Sequence, residues 1–125
     1  MTVLPVQDLD HAHPIATAWR PMLSEIVLAL SEGDYRLSRT IPGVSPVDEQ
    51  TAMQVHEYLE DYGATLTALP AESWATSCAQ WMGSYWDVLI DLWTKEEGAS
   101  DLVLCGRMRI VDQLPVFTVE LVYVP

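Results

Sequence analysis

The stretch WDVLIDLWTKEEGASDLVL, from Trp86 to Leu104, constrains the fold more than any other part of the chain. Apolar residues recur at every second position, the pattern breaks at the acidic loop 94–101, and the alternation then resumes. A period of two is typical of β-strands, so the stretch predicts an antiparallel hairpin. In its first half both faces are apolar, although Asp87 and Asp91 lie on one of them. A solvated face would be polar, so the second face of the predicted sheet needs a cover or a partner.

Further strands extend this hairpin into a sheet. The segment 82–85, MGSY, predicts a two-residue turn, because its glycine can adopt a positive φ. This turn pairs Trp81 with Trp86 and, continued along both strands, places Trp74 opposite Trp93. Two later strands are also predicted, and their expected core-facing residues are Leu102, Leu104, Met108, Ile110, Phe117, Val119, Leu121 and Tyr123.

The N-terminal half of the chain predicts two helices. An apolar stripe at helical spacing indicates the first over residues 13–32, with a kink or a fresh start at Pro21. The second is expected to begin with Ser45 as its N-cap and Pro46 in its first turn, and to end at Gly63. Both helices are expected to cover the core face of the sheet.

These elements predict an α+β fold, with two N-terminal helices packed on one face of an antiparallel β-meander of four to five strands. A length of 125 residues suits one core, so residues 1–125 are expected to form a single domain. Residues 1–12 are predicted to form an extended N-terminal arm.

The chain is strongly acidic, with six Lys and Arg against 18 Asp and Glu and a net charge of −12. Phosphate contacts and anionic membranes both need a basic surface, so we expect neither a nucleic-acid partner nor a membrane partner. An acidic surface suits a basic protein partner, and it also suits solubility alone. The N-terminus lacks the pattern of a signal peptide, and the two cysteines are too few for a disulfide scaffold. We therefore expect a cytoplasmic protein.

Motifs for chemistry are missing from the sequence. It contains no nucleophile elbow, no phosphate-binding glycine loop, no dinucleotide fingerprint and no zinc-ligand spacing. We expect no catalytic residue, no metal site and no cofactor. The best candidate for any of these is the acidic loop 94–101, whose carboxylates around Gly98 could serve a small ligand or a hard cation. A solvated hairpin turn explains the same residues.

The second face of the sheet raises the question of what lies against it. The predicted register gives it a charged ladder of Asp87, Arg107 and Glu120, the last of these if the final hairpin turns about residues 113 and 114. It also gives this face an apolar region of Trp74, Leu89, Trp93, Val103, Val122 and Val124. Its cover could be the N-terminal arm, a helix, a second copy of the chain or a different protein.

A longer pattern resembles a known group of proteins. The run LPAESWATSCAQWMGSYWDVLIDLWTKEEGASDLVL, with the closing FTVELVYVP, is similar to an uncharacterised bacterial family of small proteins with the motif W-D-V-L-[VI]-D-L-W-T-x-E-E-G-x-S-D-L. The resemblance covers about residues 42–125, and Ala99 stands where the family has arginine. It implies a bacterial, single-domain, cytosolic protein and assigns no activity.

The function we expect from the sequence is a non-enzymatic, acidic protein-binding module, such as an immunity-type inhibitor of a basic toxin or nuclease. Two alternatives stay open: a homodimeric domain of unknown activity, and a small-ligand binder or enzyme that uses the acidic loop. The residues expected to contact a partner are Trp93, Asp91, Glu96, Glu97 and Asp101, followed by Tyr85 and Asp87.

Overall fold

The computed structural model describes residues 2–125, and it confirms the α+β class. The α-helices are α1 (Arg20–Ser31) and α2 (Glu49–Tyr62), and two short 3₁₀ helices span Thr17–Trp19 and Ala71–Ala75. The strands are β1 (His13–Pro14), β2 (Cys78–Trp81), β3 (Trp86–Thr94), β4 (Gly98–Val111) and β5 (Leu114–Tyr123). All neighbouring strands are antiparallel, and their order in the sheet follows the chain from β1 to β5.

The first predicted helix, residues 13–32, is wrong in its N-terminal third. His13 pairs with Ala79 of β2, so the chain is extended there, and α1 begins only at Arg20. Pro21 lies in the first turn of α1, where a missing N–H costs no hydrogen bond, so the helix makes a fresh start there. Ile15 belongs to the apolar stripe that suggested a helix, and it is fully buried without being helical.

Helix α2 begins three residues later than expected. Its N-cap is Asp48, whose carboxylate accepts a hydrogen bond from the backbone N–H of Thr51 at 2.7 Å. Ser45 lies before the helix and contacts β5 instead: its backbone N–H donates to the carbonyl of Phe117, and its hydroxyl accepts from that of Thr118 at 3.1 Å. The predicted end is confirmed: Gly63 adopts a left-handed conformation, with φ of 82°, as a helix C-cap requires.

The central hairpin has the predicted register at its turn. Trp81 pairs with Trp86, and the N–H of Met82 donates to the carbonyl of Tyr85 at 2.8 Å. The prediction fails beyond the start of β2 at Cys78, because the chain leaves the sheet for the second 3₁₀ helix. Trp74 therefore does not lie opposite Trp93 but packs against the core.

The register of the last hairpin also differs from the prediction, because Arg107 pairs with Thr118 and not with Glu120. The strands pair through Gly106 and Val119 and then through Cys105 and Leu121, so Glu120 is an extra residue in a β-bulge. Gly106 permits this geometry, because a Cβ atom there would collide with the ring of Phe117 and lie 2.6 Å from the carbonyl of Thr118.

The bulge changes which residues of β5 are buried. Phe117 and Val119 face the core as predicted, but Val122 replaces Leu121 and Tyr123 there. The prediction for Ile110 is also wrong. Its side chain is 47% exposed, because the tip of the β4–β5 hairpin extends beyond the core.

One hydrophobic core joins both α-helices to the inner face of the sheet. Its largest fully buried side chains come from both helices, from the segment before α1 and from β3, β4 and β5. They are Ile15, Leu23, Ile26, Val27, Leu30, Val55, Ile90, Leu92, Leu102, Leu104, Met108 and Phe117. Because both helices pack on this face, the sheet has an inner face and an outer one. None of the helices in residues 2–125 combines the length and apolarity that a membrane crossing requires.

Candidate functional site

The outer surface of the sheet, which we call the open face, carries the outward side chains of β2 to β5. At its centre Cys78, Leu89, Cys105 and Leu121 lie side by side, one from each strand. All four are only partly buried, and none belongs to the hydrophobic core. The alternation of β3 produces this row directly, since every second residue of a strand points to the same face.

The N-terminal arm contacts the open face at one edge. The carbonyl of Val6 accepts a hydrogen bond from the indole N–H of Trp86 at 3.0 Å, and the carbonyl of Leu9 accepts one from the amide of Gln80 at 2.9 Å. These two bonds hold the arm along the edge near β2. Leu89, in the middle strand, stays partly exposed.

A second irregularity, between β3 and β4, shapes one end of the open face. Asp91 pairs with Val103, whereas Trp93 pairs with Ala99, so β4 contains two extra residues in this interval. The hydroxyl of Ser100 fills the gap by donating to the carbonyl of Leu92 at 2.7 Å. Bulges of this kind redirect side chains, and this one leaves Asp101 exposed beside Asp91 and Trp93.

Two buried serines hold the backbone of Asp91 from the other side. The hydroxyl of Ser73 donates to the carbonyl of Asp91 at 2.6 Å, and the N–H of Asp91 donates to the hydroxyl of Ser77 at 3.0 Å. The second 3₁₀ helix, which contains Ser73, is thereby fixed against β3. Its Glu72 comes to lie beside the same end of the sheet.

These elements enclose a shallow groove of about 660 Å³, which we call the acidic groove. Its carboxylates are Glu72, Asp91 and Asp101, and Trp93 and Val103 form apolar parts of its wall. The arrangement can bind a cationic group through its carboxylates and an apolar or planar group through the indole.

The structure brings three of the seven predicted contact residues into the acidic groove: Asp91, Trp93 and Asp101. Tyr85 and Asp87 lie at the other end of the open face, near Arg107. The guanidinium of Arg107 stacks over the ring of Tyr85 at 4.4 Å and forms an ion pair with Glu120 at 3.2 Å. Asp87 is directly opposite Arg107 in the ladder.

The other two, Glu96 and Glu97, contact the rest of the chain. The carboxylate of Glu96 accepts hydrogen bonds from the N–H of Thr65 at 2.6 and 3.1 Å. Glu97 accepts one from the hydroxyl of Tyr62 at 3.0 Å, and this bond is the main reason why the pKa of Tyr62 is raised. The loop 94–101 is therefore divided: the carboxylates of its first half bind Tyr62, at the end of α2, and Thr65, whereas the side chain of Asp101 lines the acidic groove.

The two thiols on the open face are poorly suited to nucleophilic chemistry. Burial raises the pKa of Cys78, and burial raises that of Cys105 to about 11, with Glu120 and Asp87 adding to the effect. Such thiols stay protonated near neutral pH, whereas nucleophiles and metal ligands are thiolates. Within residues 2–125, no group of three His, Cys, Asp or Glu side chains is placed to hold a metal ion.

Reasoning from the sequence missed Glu72 as a groove residue, whereas it placed Val103 on the same face as Trp93, where the structure has it. The sequence places Glu72 in no element and predicts a strand from Trp74 onward, so it gives no reason for Glu72 to lie near Asp101. The pattern S-W-A-T-S, with serines four residues apart, is the one local signal for the 3₁₀ helix that positions Glu72.

Comparison with known proteins identifies the family of the chain but no close relative. No curated protein and no solved structure gives a significant match to it. Residues 27–125 match a family described as a domain of unknown function, DUF7668, and this range includes the last five residues of α1, all of α2 and strands β2 to β5. The chain therefore belongs to the DUF7668 family.

Proposed function

We propose that this chain is a protein-binding module whose open face docks a basic protein. The observation that carries the proposal is the row of partly exposed side chains across β2 to β5, Cys78, Leu89, Cys105 and Leu121. The next outward pair along β3 and β4, Asp91 and Val103, lines the acidic groove, so the row and the groove are neighbours on one surface. Large apolar patches on soluble domains commonly mark interaction sites. A surface of this composition, apolar at the centre and charged at the rim, suits a protein partner.

The charges of the open face favour a basic partner over a second copy of the chain. Its carboxylates are those of Glu72, Asp87, Asp91, Asp101 and Glu120, and its cations are Arg107 and Arg109. Two copies packed through this face would bring a surplus of carboxylates together, and each copy has a net charge of −12. Like charges at an interface are costly, whereas a basic partner would neutralise them.

Binding of this kind includes inhibition. An immunity-type protein occludes the basic active site of a toxin or nuclease with carboxylates and aromatic anchors. Trp93, Asp91 and Asp101 supply both kinds of group at one end of the open face.

The test compares a disrupted open face with a disrupted helical surface. Tagged wild-type chain captures partners from the lysate of its host at low salt, and light scattering of each purified complex gives its stoichiometry. We expect a basic protein in a defined ratio, whose capture is lost in Leu89→Arg and in Trp93→Ala and falls as salt rises. His56→Ala, on the exposed surface of α2, is the matched control and should capture it like wild type.

Two results would overturn the proposal. One is a partner whose capture survives both open-face substitutions, which would place its binding site elsewhere. The other is a chain that is dimeric by light scattering and becomes monomeric in Leu89→Arg, which would assign the open face to self-association.

A further inference from the structure

The indole of Trp93 packs against the start of β4 on one side and faces the acidic groove on another. Position 98 is a glycine with φ of 75°, and a Cβ atom there would lie 3.6 Å from Cζ3 of Trp93, so the ring lies against the start of β4. Trp93 is nevertheless only partly buried, and the remainder of its surface lines the acidic groove with Asp91 and Asp101.

Elsewhere this chain places arginines over aromatic rings. The guanidinium of Arg107 lies 4.4 Å from the ring centre of Tyr85, and that of Arg20 lies 5.5 Å from the ring centre of Trp74. Trp93 has no such cation over it in residues 2–125, although it is the aromatic residue that lines a groove with three carboxylates.

From these observations we infer that the acidic groove is a receptor for an arginine side chain of the partner, with the guanidinium against Trp93 and paired with Asp91 and Asp101. The inference rests on the proposed function, because it names the group through which a basic protein engages the open face. Glu72 also lines the groove, and its negative charge attracts the guanidinium without needing to form a direct ion pair with it.

A guanidinium fits this groove better than an ammonium does. It is planar and delocalised, so it can stack on an indole and still direct N–H groups sideways to two carboxylates. It is also more weakly hydrated than the ammonium of lysine, so transfer from water to a half-buried wall costs less free energy. An open groove without three convergent metal-ligating side chains gives a bare metal ion no comparable site.

The test uses small probes and needs no partner. Isotope-labelled protein is titrated with N-acetyl-arginine amide, and the indole N–H resonance of Trp93, assigned through Trp93→Phe, is followed by NMR. N-acetyl-citrulline amide is the uncharged isostere, and N-acetyl-lysine amide tests the requirement for a guanidinium. We expect saturable shifts at Trp93 with the arginine probe, binding weaker by about threefold or more with lysine, and no saturable shift with citrulline.

Substitutions in the protein locate the probe. Asp91→Asn and Asp101→Asn should each weaken binding of the arginine probe by about threefold to tenfold, as expected for loss of one partly exposed charge pair. Asp61→Asn, on the exposed end of α2, changes the net charge equally and should leave binding unchanged. The same loss in all three variants would reveal a non-specific effect of net charge and would overturn the inference, as would equal binding of arginine and citrulline or of arginine and lysine.

The two proposals fail separately. A protein partner that is lost from the open-face variants, together with an arginine probe that does not bind, would retain the proposed function and remove the arginine site. Saturable binding of the arginine probe together with a partner that ignores the open face would retain the groove as an arginine receptor and remove the proposed function.

Discussion

At the scale of single residues, Gln54 links α2 to the sheet. Its amide N–H donates to the carbonyl of Val122 at 2.7 Å, and its amide oxygen accepts from the N–H of Val122 at 3.1 Å. Val122 is fully buried, although its strand, β5, is an edge strand of the sheet. One side chain thus satisfies both backbone groups of a buried edge residue, which would otherwise be left without partners.

We predict that Gln54→Ala destabilises the fold by about 1–3 kcal/mol, because it leaves the backbone groups of Val122 unpaired. The free energy of unfolding is measured in urea. Gln50→Ala, one turn earlier in α2 and exposed, is the control and should change stability by less than about 0.5 kcal/mol. Equal stability of wild type and Gln54→Ala would show that water replaces both bonds.

Asp8 fixes the end of the N-terminal arm to the start of β1. Its carboxylate accepts a hydrogen bond from Nε2 of His13 at 2.9 Å and another from the N–H of Asp10. These contacts, that of His13 first, lower the pKa of Asp8 from 3.8 to about 2. A lowered pKa means that the ionised carboxylate stabilises the arm above about pH 4, and that this contribution is lost as the pH falls towards 2.

We predict that His13→Ala raises the pKa of Asp8 towards its ordinary value, and that His11→Ala raises it less. The reason is that His13 donates the main hydrogen bond, whereas His11 acts only through its charge, at 3.4 Å from the carboxylate. The measurement is an NMR titration of the Asp8 carboxyl carbon between pH 1.5 and 6. A larger effect of His11→Ala would contradict the assigned contact.

At the scale of elements, the acidic loop 94–101 combines two tasks that its sequence does not separate. Glu96 joins the β3–β4 turn to Thr65, and the N–H of Lys95 donates to the carbonyl of the same residue at 2.9 Å. Asp101 makes no ion pair within residues 2–125 and lines the acidic groove. The turn is held by its first carboxylates, and the groove uses the last one.

We predict that substitutions in the two halves of this loop affect different properties, stability in the first half and binding of the arginine probe in the second. Glu96→Ala should lower the free energy of unfolding by about 1 kcal/mol through loss of a charge-assisted hydrogen bond, and should leave the arginine probe bound as in wild type. Asp101→Ala should weaken the probe and leave the stability within about 0.5 kcal/mol. Urea unfolding and the NMR titration measure both effects on both variants. Weaker probe binding in Glu96→Ala at unchanged stability would contradict this division.

The elements that could be predicted from the sequence are those specified by local chemistry. The alternation of β3, the turn after Trp81 and the stop at Gly63 each depend on a few neighbouring residues, and each is confirmed. The start of α1 could not be predicted in this way. Ile15 continues a helical stripe in sequence, but β1 pairs with β2, which lies more than 60 residues away in the chain.

The bulges account for most of the remaining errors, because they depend on how two strands fit across the sheet. The extra residue Glu120 moves Leu121 from the core to the open face, and nothing local to β5 signals this change. Only part of the acidic groove could be predicted, because its residues are positioned partly by strand alternation and partly by a bulge. Asp91 and Trp93 follow from alternation, whereas the position of Asp101 beside them requires the bulge in β4.

At the scale of the whole molecule, the fold separates the core from the proposed binding surface. The helices and the inner face of the sheet share one core, while the open face keeps apolar and charged groups at the surface. Other segments of the chain lie along the two edges of the sheet. The N-terminal arm lies along the edge near β2, and residues 43–45 lie along β5 through hydrogen bonds with Phe117. Chain segments at both edges oppose further strand pairing there, so the proposed partner is expected to dock on the face of the sheet and not at an edge.

The net charge of −12 gives the last prediction, in which salt acts in opposite directions on folding and on binding. Repulsion among carboxylates opposes the compact state, and salt screens it, with a Debye length of about 8 Å near 0.15 M. We therefore expect the urea midpoint of the isolated chain to rise between 10 and 300 mM NaCl. Attraction of a cationic probe to the acidic groove is screened by the same ions, so its affinity should fall over that range.

Both effects can be measured in one set of buffers, by urea unfolding and by titration with N-acetyl-arginine amide. Sodium chloride serves better than guanidinium chloride or arginine salts, whose cations would occupy the acidic groove. If the midpoint falls with salt, the ion pairs of Arg39 with Glu32 and Asp34 and of Arg107 with Glu120 outweigh the repulsion. If the affinity for the probe does not change with salt, the contact with Trp93 is apolar and the carboxylates contribute little to it.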